Sequence, residues 1–153
     1  MSIQQKVFLG VVLAVALAGG AWFFQNASAD AASAKAVLVL NVTSGAEDLH
    51  RVTMALQLAG HALDDGRDVL VFLNVRAPVF ATKNCPDSMA FRRNPPIREM
   101  LASLMERGAK VHVCPHCMMA MGVAESDLMP GAEVTTREKL FSYLGPNSHV
   151  FSY

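Results

Sequence analysis

Ala36-Val37-Leu38-Val39-Leu40-Asn41-Val42 is a run of strand-forming residues broken by one polar side chain, and its reading decides the fold. A strand with one face in water alternates apolar and polar residues, whereas an unbroken apolar run suits a strand covered on both faces, as in a parallel sheet. Asp68-Val69-Leu70-Val71-Phe72-Leu73-Asn74-Val75 repeats the pattern, and Val111-His112-Val113 carries a shorter version. Between the first two runs, Ser44 and Glu47 have capping-box spacing, and Leu49, Val52, Leu56, Ala59 and Leu63 recur at steps of three and four. They predict a helix over residues 46–65, stopped by Gly66. Asn94-Pro95-Pro96 opens a second helix with Ile97, Met100, Leu101, Leu104 and Met105 on one face, closed by Gly108. Farther on, Ala132-Glu133-Val134 reads as a brief fourth strand. Thr135 and Glu138 read as a second capping box, for a helix burying Leu140, Phe141 and Leu144, and residues 148–153 as a fifth strand. Strand and helix alternating in this order predict an α/β fold: a single domain with a five-stranded, mainly parallel sheet, helices on both faces and right-handed crossovers.

The chain begins differently. Met1 to Lys6 carries one positive charge, Val7 to Phe24 is apolar and uncharged, and Ala27-Ser28-Ala29 places small residues where a signal peptidase cleaves. Residues 1–29 are therefore read as a secretory signal peptide and 30–34 as a short linker to the domain at 35–153. The competing reading is an uncleaved membrane anchor, since eighteen apolar residues are near the minimum for crossing a bilayer. The A-x-A site and the Gly19-Gly20 pair favour cleavage. Either way the domain is expected outside the cytoplasm, in the periplasm or an equivalent exported space, and tethered to the membrane only if the segment stays in place.

Composition narrows the partners. Thirteen basic and thirteen acidic residues balance, and no basic stripe alternates with aromatics, so nucleic acid is not an expected partner. There is no phosphate-cradling glycine loop, no Ser/His/Asp arrangement and no carboxylate pair of a hydrolase. What stands out is sulfur. Cys85, Cys114 and Cys117 are the three cysteines, all beyond the apolar segment. An oxidising compartment pairs two and leaves one over, the pattern of an exchanging thiol more than of a structural framework.

Cys114-Pro115-His116-Cys117 follows the third strand directly, so both thiols fall at a carboxyl end of the sheet, where open parallel sheets bind and react. The start of a helix there favours thiolate, and His116 between the thiols adds to that. The long segment from Arg76 to Arg93 also leaves a strand's carboxyl end, carries Cys85, and is placed to fold over Cys114. Its Arg92-Arg93 suits an anionic sulfur donor or, equally, a solvated basic loop. The same cysteines support other readings. Cys-x-x-Cys is half of a zinc site that His116, Cys85 or His112 would complete, and Met118, Met119 and Met121 would suit copper(I). Those methionines are more commonly core packing, and the cysteines could also form an inert disulfide. His112 and His149 read by default as hydrogen-bonded structural residues, and Glu125 and Asp127 as turn caps.

Asn41-Val42-Thr43-Ser44, Val71-Phe72-Leu73-Asn74-Val75, Val111-His112-Val113-Cys114-Pro115-x-Cys117-Met118-x-Ala120-Met121-Gly122 and Asp127-Leu128-x-Pro130-Gly131, in that order, resemble the DsrE/DsrF-like sulfur-relay family from about residue 35 to 153. The resemblance implies a five-stranded, mainly parallel α/β fold, assembly into homo-oligomeric trimers or hexamers, and a cysteine that carries sulfur as a persulfide; the expected partners are sulfur donor and acceptor proteins or small sulfur compounds, and no cofactor is expected unless the cysteines hold zinc or copper. Cys114 matches the family's reactive position. The chain departs from the family's well-studied cytoplasmic members in its exported character and in its second thiol. With Cys117 present, a persulfide on Cys114 can be displaced to an internal disulfide, so carrier and thiol-exchange roles merge.

Overall fold

The computed structural model describes residues 35–153; the segments read as signal peptide or anchor and as linker lie outside the described residues. Strands β1 (Val37–Val42), β2 (Asp68–Leu73), β3 (Lys110–Val113), β4 (Ala132–Val134) and β5 (Ser148–Ser152) form one sheet in the order β4-β3-β2-β1-β5. Every neighbouring pair is parallel, with Val37 opposite both Asp68 and Ser148, Leu70 opposite Lys110, and Val111 opposite Ala132. The domain is thus a single α/β unit whose sheet is parallel throughout. Its helices are α1 (Leu49–Asp64), α2 (Ile97–Glu106), α3 (Pro115–Ala120) and α4 (Arg137–Phe141).

Strand order dictates where the helices sit. The chain steps from β1 to β4 in one direction and then returns across the sheet to β5, so right-handed crossovers put the early helices on one face and α4 on the other. The packing agrees. Helices α1 and α2 touch each other and cover the face bearing Leu40, Val42, Val71, Leu73, Val111 and Val113, all part of the main core. The opposite face presents Val39, Leu70 and His112, and Tyr143, just past α4, meets the His112 ring edge-on at 5.5 Å.

Element boundaries differ from the sequence reading where side chains are engaged elsewhere. Helix α1 proper starts after a 3-10 turn at Ala46–Asp48, and its cap is Asp48, which accepts from Arg51 N–H at 3.0 Å. Glu47 instead accepts from Gly45 N–H and pairs with Arg76. Thr136, not Thr135, caps α4 through Lys139 N–H, because Thr135 is buried and its hydroxyl is engaged with His112 and the Thr136 carbonyl. Asn94 does not cap α2; it accepts from Gln57 and donates to the Phe91 carbonyl. The 76–93 segment is not an irregular flap. Its 3-10 turn Ala77–Ala81 buries Phe80 completely and borders α3, and Thr82 bridges to Leu128.

Candidate functional site

Strand β3 ends at Val113, and the Cys114 N–H extends the ladder by donating to the Leu73 carbonyl at 3.0 Å. Pro115 then sits at the first helical position, where its missing N–H is no loss, and Met118 N–H closes the first turn on the Cys114 carbonyl. That one turn brings the Sγ atoms of Cys114 and Cys117 to 2.9 Å. Both are free thiols and half-buried. The separation is within hydrogen-bond reach of sulfur and well beyond the roughly 2.05 Å of a disulfide. The strand end and helix start expected of the motif are therefore both present.

A row of amides leads up to the pair. Cys117 Sγ lies 3.0 Å from Asn74 Oδ1 and receives the Val75 N–H at 3.2 Å. The same N–H donates to Asn74 Oδ1 at 2.8 Å. Asn74 Nδ2 in turn faces Asn41 Oδ1 at 3.5 Å, and Asn41 Nδ2 donates to Ser152 Oγ at 3.2 Å. The row runs along the carboxyl edge from β5 across β1 and β2 to the thiols. Val75 holds φ at +53°, a left-handed backbone that a β-branched residue rarely accepts. Burial pushes the Cys117 thiol above its ordinary range, the hydrogen bond to Cys114 adds to this, and the Val75 N–H pulls the other way.

The other proposed participants stand apart. Cys85 is 5 % exposed within the main core, where burial raises its thiol against the opposing pull of Arg98. It makes no hydrogen bond to either sulfur of the pair. His116 points outward, exposed, and no described residue hydrogen-bonds it. Among the described residues no group of three or more His, Cys, Asp or Glu side chains gathers to hold a metal ion. The methionines divide. Met118 is 4 % exposed and packs into the core as expected of the cluster, but Met119 is 74 % exposed beside the thiols and Met121 is also exposed. His112 is a buried structural residue 3.4 Å from Thr135 Oγ1, and Asp127 caps its turn by accepting from Ala124 N–H. Arg92 lies over the Phe91 ring at 5.1 Å.

Asn41, Asn74, Val75 and Ser152 are site residues that the sequence reading passed over. A signal was present: the tripeptide Leu-Asn-Val occurs at Leu40-Asn41-Val42 and again at Leu73-Asn74-Val75, placing an amide at the carboxyl end of two adjacent strands. A polar residue in that position of a buried run points at the reactive edge.

Known proteins resemble the chain at three levels. Residues 35–151 match the model of the DsrE/DsrF-like family. The chain is 29 % identical over 119 residues to the uncharacterized protein MK0008 of Methanopyrus kandleri, covering 76 % of this chain and 93 % of that protein. It is 30 % identical over 112 residues to the uncharacterized protein MJ0989 of Methanocaldococcus jannaschii, covering 73 % and 95 %. Among solved structures, the ychN protein from E. coli aligns at a TM-score of 0.54 and 18 % identity, and MTH1491, a protein of unknown function from Methanobacterium thermoautotrophicum, at 0.57 and 15 %, each over 78 % of this chain and 100 % of the other. These last two likenesses show the fold. With the family model matched across nearly the whole described domain, the chain belongs to the DsrE/DsrF-like family.

Proposed function

We propose that the protein is a sulfur carrier and thiol-exchange protein working through Cys114, with Cys117 as the resolving thiol. The observation that carries this reading is the 2.9 Å contact between two free thiols at the carboxyl edge of a parallel sheet. In the loading step the Cys114 thiolate attacks the outer sulfur of a donor persulfide, a new S–S bond forms, and the donor's inner sulfur leaves as a thiolate with the bonding pair. An acceptor thiolate then takes the outer sulfur the same way and restores Cys114. Alternatively, the Cys117 thiolate attacks the inner sulfur. Hydrosulfide leaves, a Cys114–Cys117 disulfide remains, and an external dithiol must reduce it before the next cycle.

The donor and acceptor are proteins or small sulfur compounds, and the site asks for no cofactor in either route. Action outside the cytoplasm rests on the apolar segment and A-x-A site of residues 1–29. Assembly with further copies, as trimers or hexamers, is supported by the family likeness and by apolar residues left exposed on and near β5.

Exposure of the reduced protein to inorganic polysulfide, followed by intact mass measurement, tests the reading. The wild type is expected to gain sulfur that a reductant removes, Cys114→Ser to gain none, and Cys117→Ser to hold the added sulfur longer. Uptake by Cys114→Ser equal to the wild type would end the proposal.

A further inference from the structure

The pair contains two thiols, but their surroundings are not equivalent. Cys117 Sγ has two acceptors in range, Asn74 Oδ1 at 3.0 Å and Cys114 Sγ at 2.9 Å, and one donor, the Val75 N–H. Among the described residues no hydrogen bond reaches Cys114 Sγ except the one from Cys117. The orientation of the Asn74 amide is set by the Val75 N–H. Its oxygen must face the Val75 N–H at 2.8 Å, and its nitrogen faces the oxygen of Asn41, whose own nitrogen is held by Ser152. An acceptor oxygen locked in that place favours an S–H on Cys117 and opposes a thiolate there.

We infer that Asn74 is a positioning residue that keeps the shared proton on Cys117, so that the sulfur of Cys114 is the one left free to attack. The assignment rests on the proposed function, and it adds a division of labour between chemically similar thiols. The Val75 N–H touches both the Asn74 oxygen and the Cys117 sulfur, keeping acceptor and thiol in register.

The test is competitive alkylation of the fully reduced chain with limiting iodoacetamide near neutral pH, the two cysteines being separated by peptide mass mapping after cleavage between them or by fragmentation. In the wild type Cys114 is expected to react faster. Asn74→Leu, which keeps the volume and removes the acceptor, should lower the Cys114-to-Cys117 rate ratio by about two- to tenfold, the range corresponding to one hydrogen bond of ordinary strength. Asn74→Asp, which keeps an acceptor oxygen in place, should retain the wild-type preference, and it serves as the informative variant if Asn74→Leu fails to fold. An unchanged ratio in folded Asn74→Leu, or loss of the preference in folded Asn74→Asp, would overturn the role of Asn74 while leaving Cys114 as nucleophile. Equal or faster reaction of Cys117 in the wild type would instead overturn the functional reading beneath it.

Discussion

His112 shows how a single buried side chain can make the fold sensitive to pH. Its neighbours on the α4 side of the sheet are Thr135, Tyr143, Glu133, Lys139 and Lys110. Burial lowers its pKa from 6.5, Glu133 opposes this, and the two lysines reinforce it. The unfolded chain therefore takes up the proton more readily than the folded one. The stability associated with a neutral His112 is complete above about pH 6.5 and is lost as pH falls through the lowered folded value. Thermal melting followed from pH 7.5 down to pH 5 should show a falling midpoint, and His112→Gln, which can still reach Thr135, should flatten that dependence. At Val75 the issue is backbone strain, of about 1–3 kcal/mol for such a conformation. Val75→Gly removes the penalty while keeping the N–H, so its melting temperature should be no lower than the wild type's despite the lost side chain, and a clear fall would contradict the strain.

Among the elements, the turn at Ala77–Ala81 links the core to the site. Phe80 is fully buried, and the turn borders α3, which carries Cys117. Phe80→Ala should cost about 3–5 kcal/mol in denaturant unfolding, the usual range for emptying an aromatic core position. Strands and long helices were legible in the sequence because their signal is periodic: β1, β2, α1 and α2 follow directly from runs and stripes such as Leu49, Val52 and Leu56. Caps were less legible, since Thr135 and Thr136 have the same chemistry and only the fold decides which hydroxyl is already engaged with His112. Cys114 and Cys117 could be placed from the end of β3. Asn74 and Asn41 could not, because their partnership depends on β1 and β2 lying side by side in register. Cys85 looked like a loop thiol, and became a core residue because the 76–93 segment folds inward around Phe80.

For the molecule as a whole, the return from β4 to β5 leaves β5 as an edge strand beside β1, with Val150 and Phe151 both exposed and Phe141 and Leu144 exposed nearby in sequence. An apolar, unpaired edge is a hazard unless another chain covers it. The proposed homo-oligomerisation through this region predicts that Phe151→Glu lowers the sedimenting mass of the domain toward that of a single chain; an unaltered mass would count against it. Because the amide row starts at Ser152, the bracing of the thiols depends on the strand that leaves the ribosome last among the five. A nascent chain therefore carries Asn41, Asn74, Val75 and both cysteines before it carries Ser152, and the row of amides is anchored at its far end only when β5 completes the sheet.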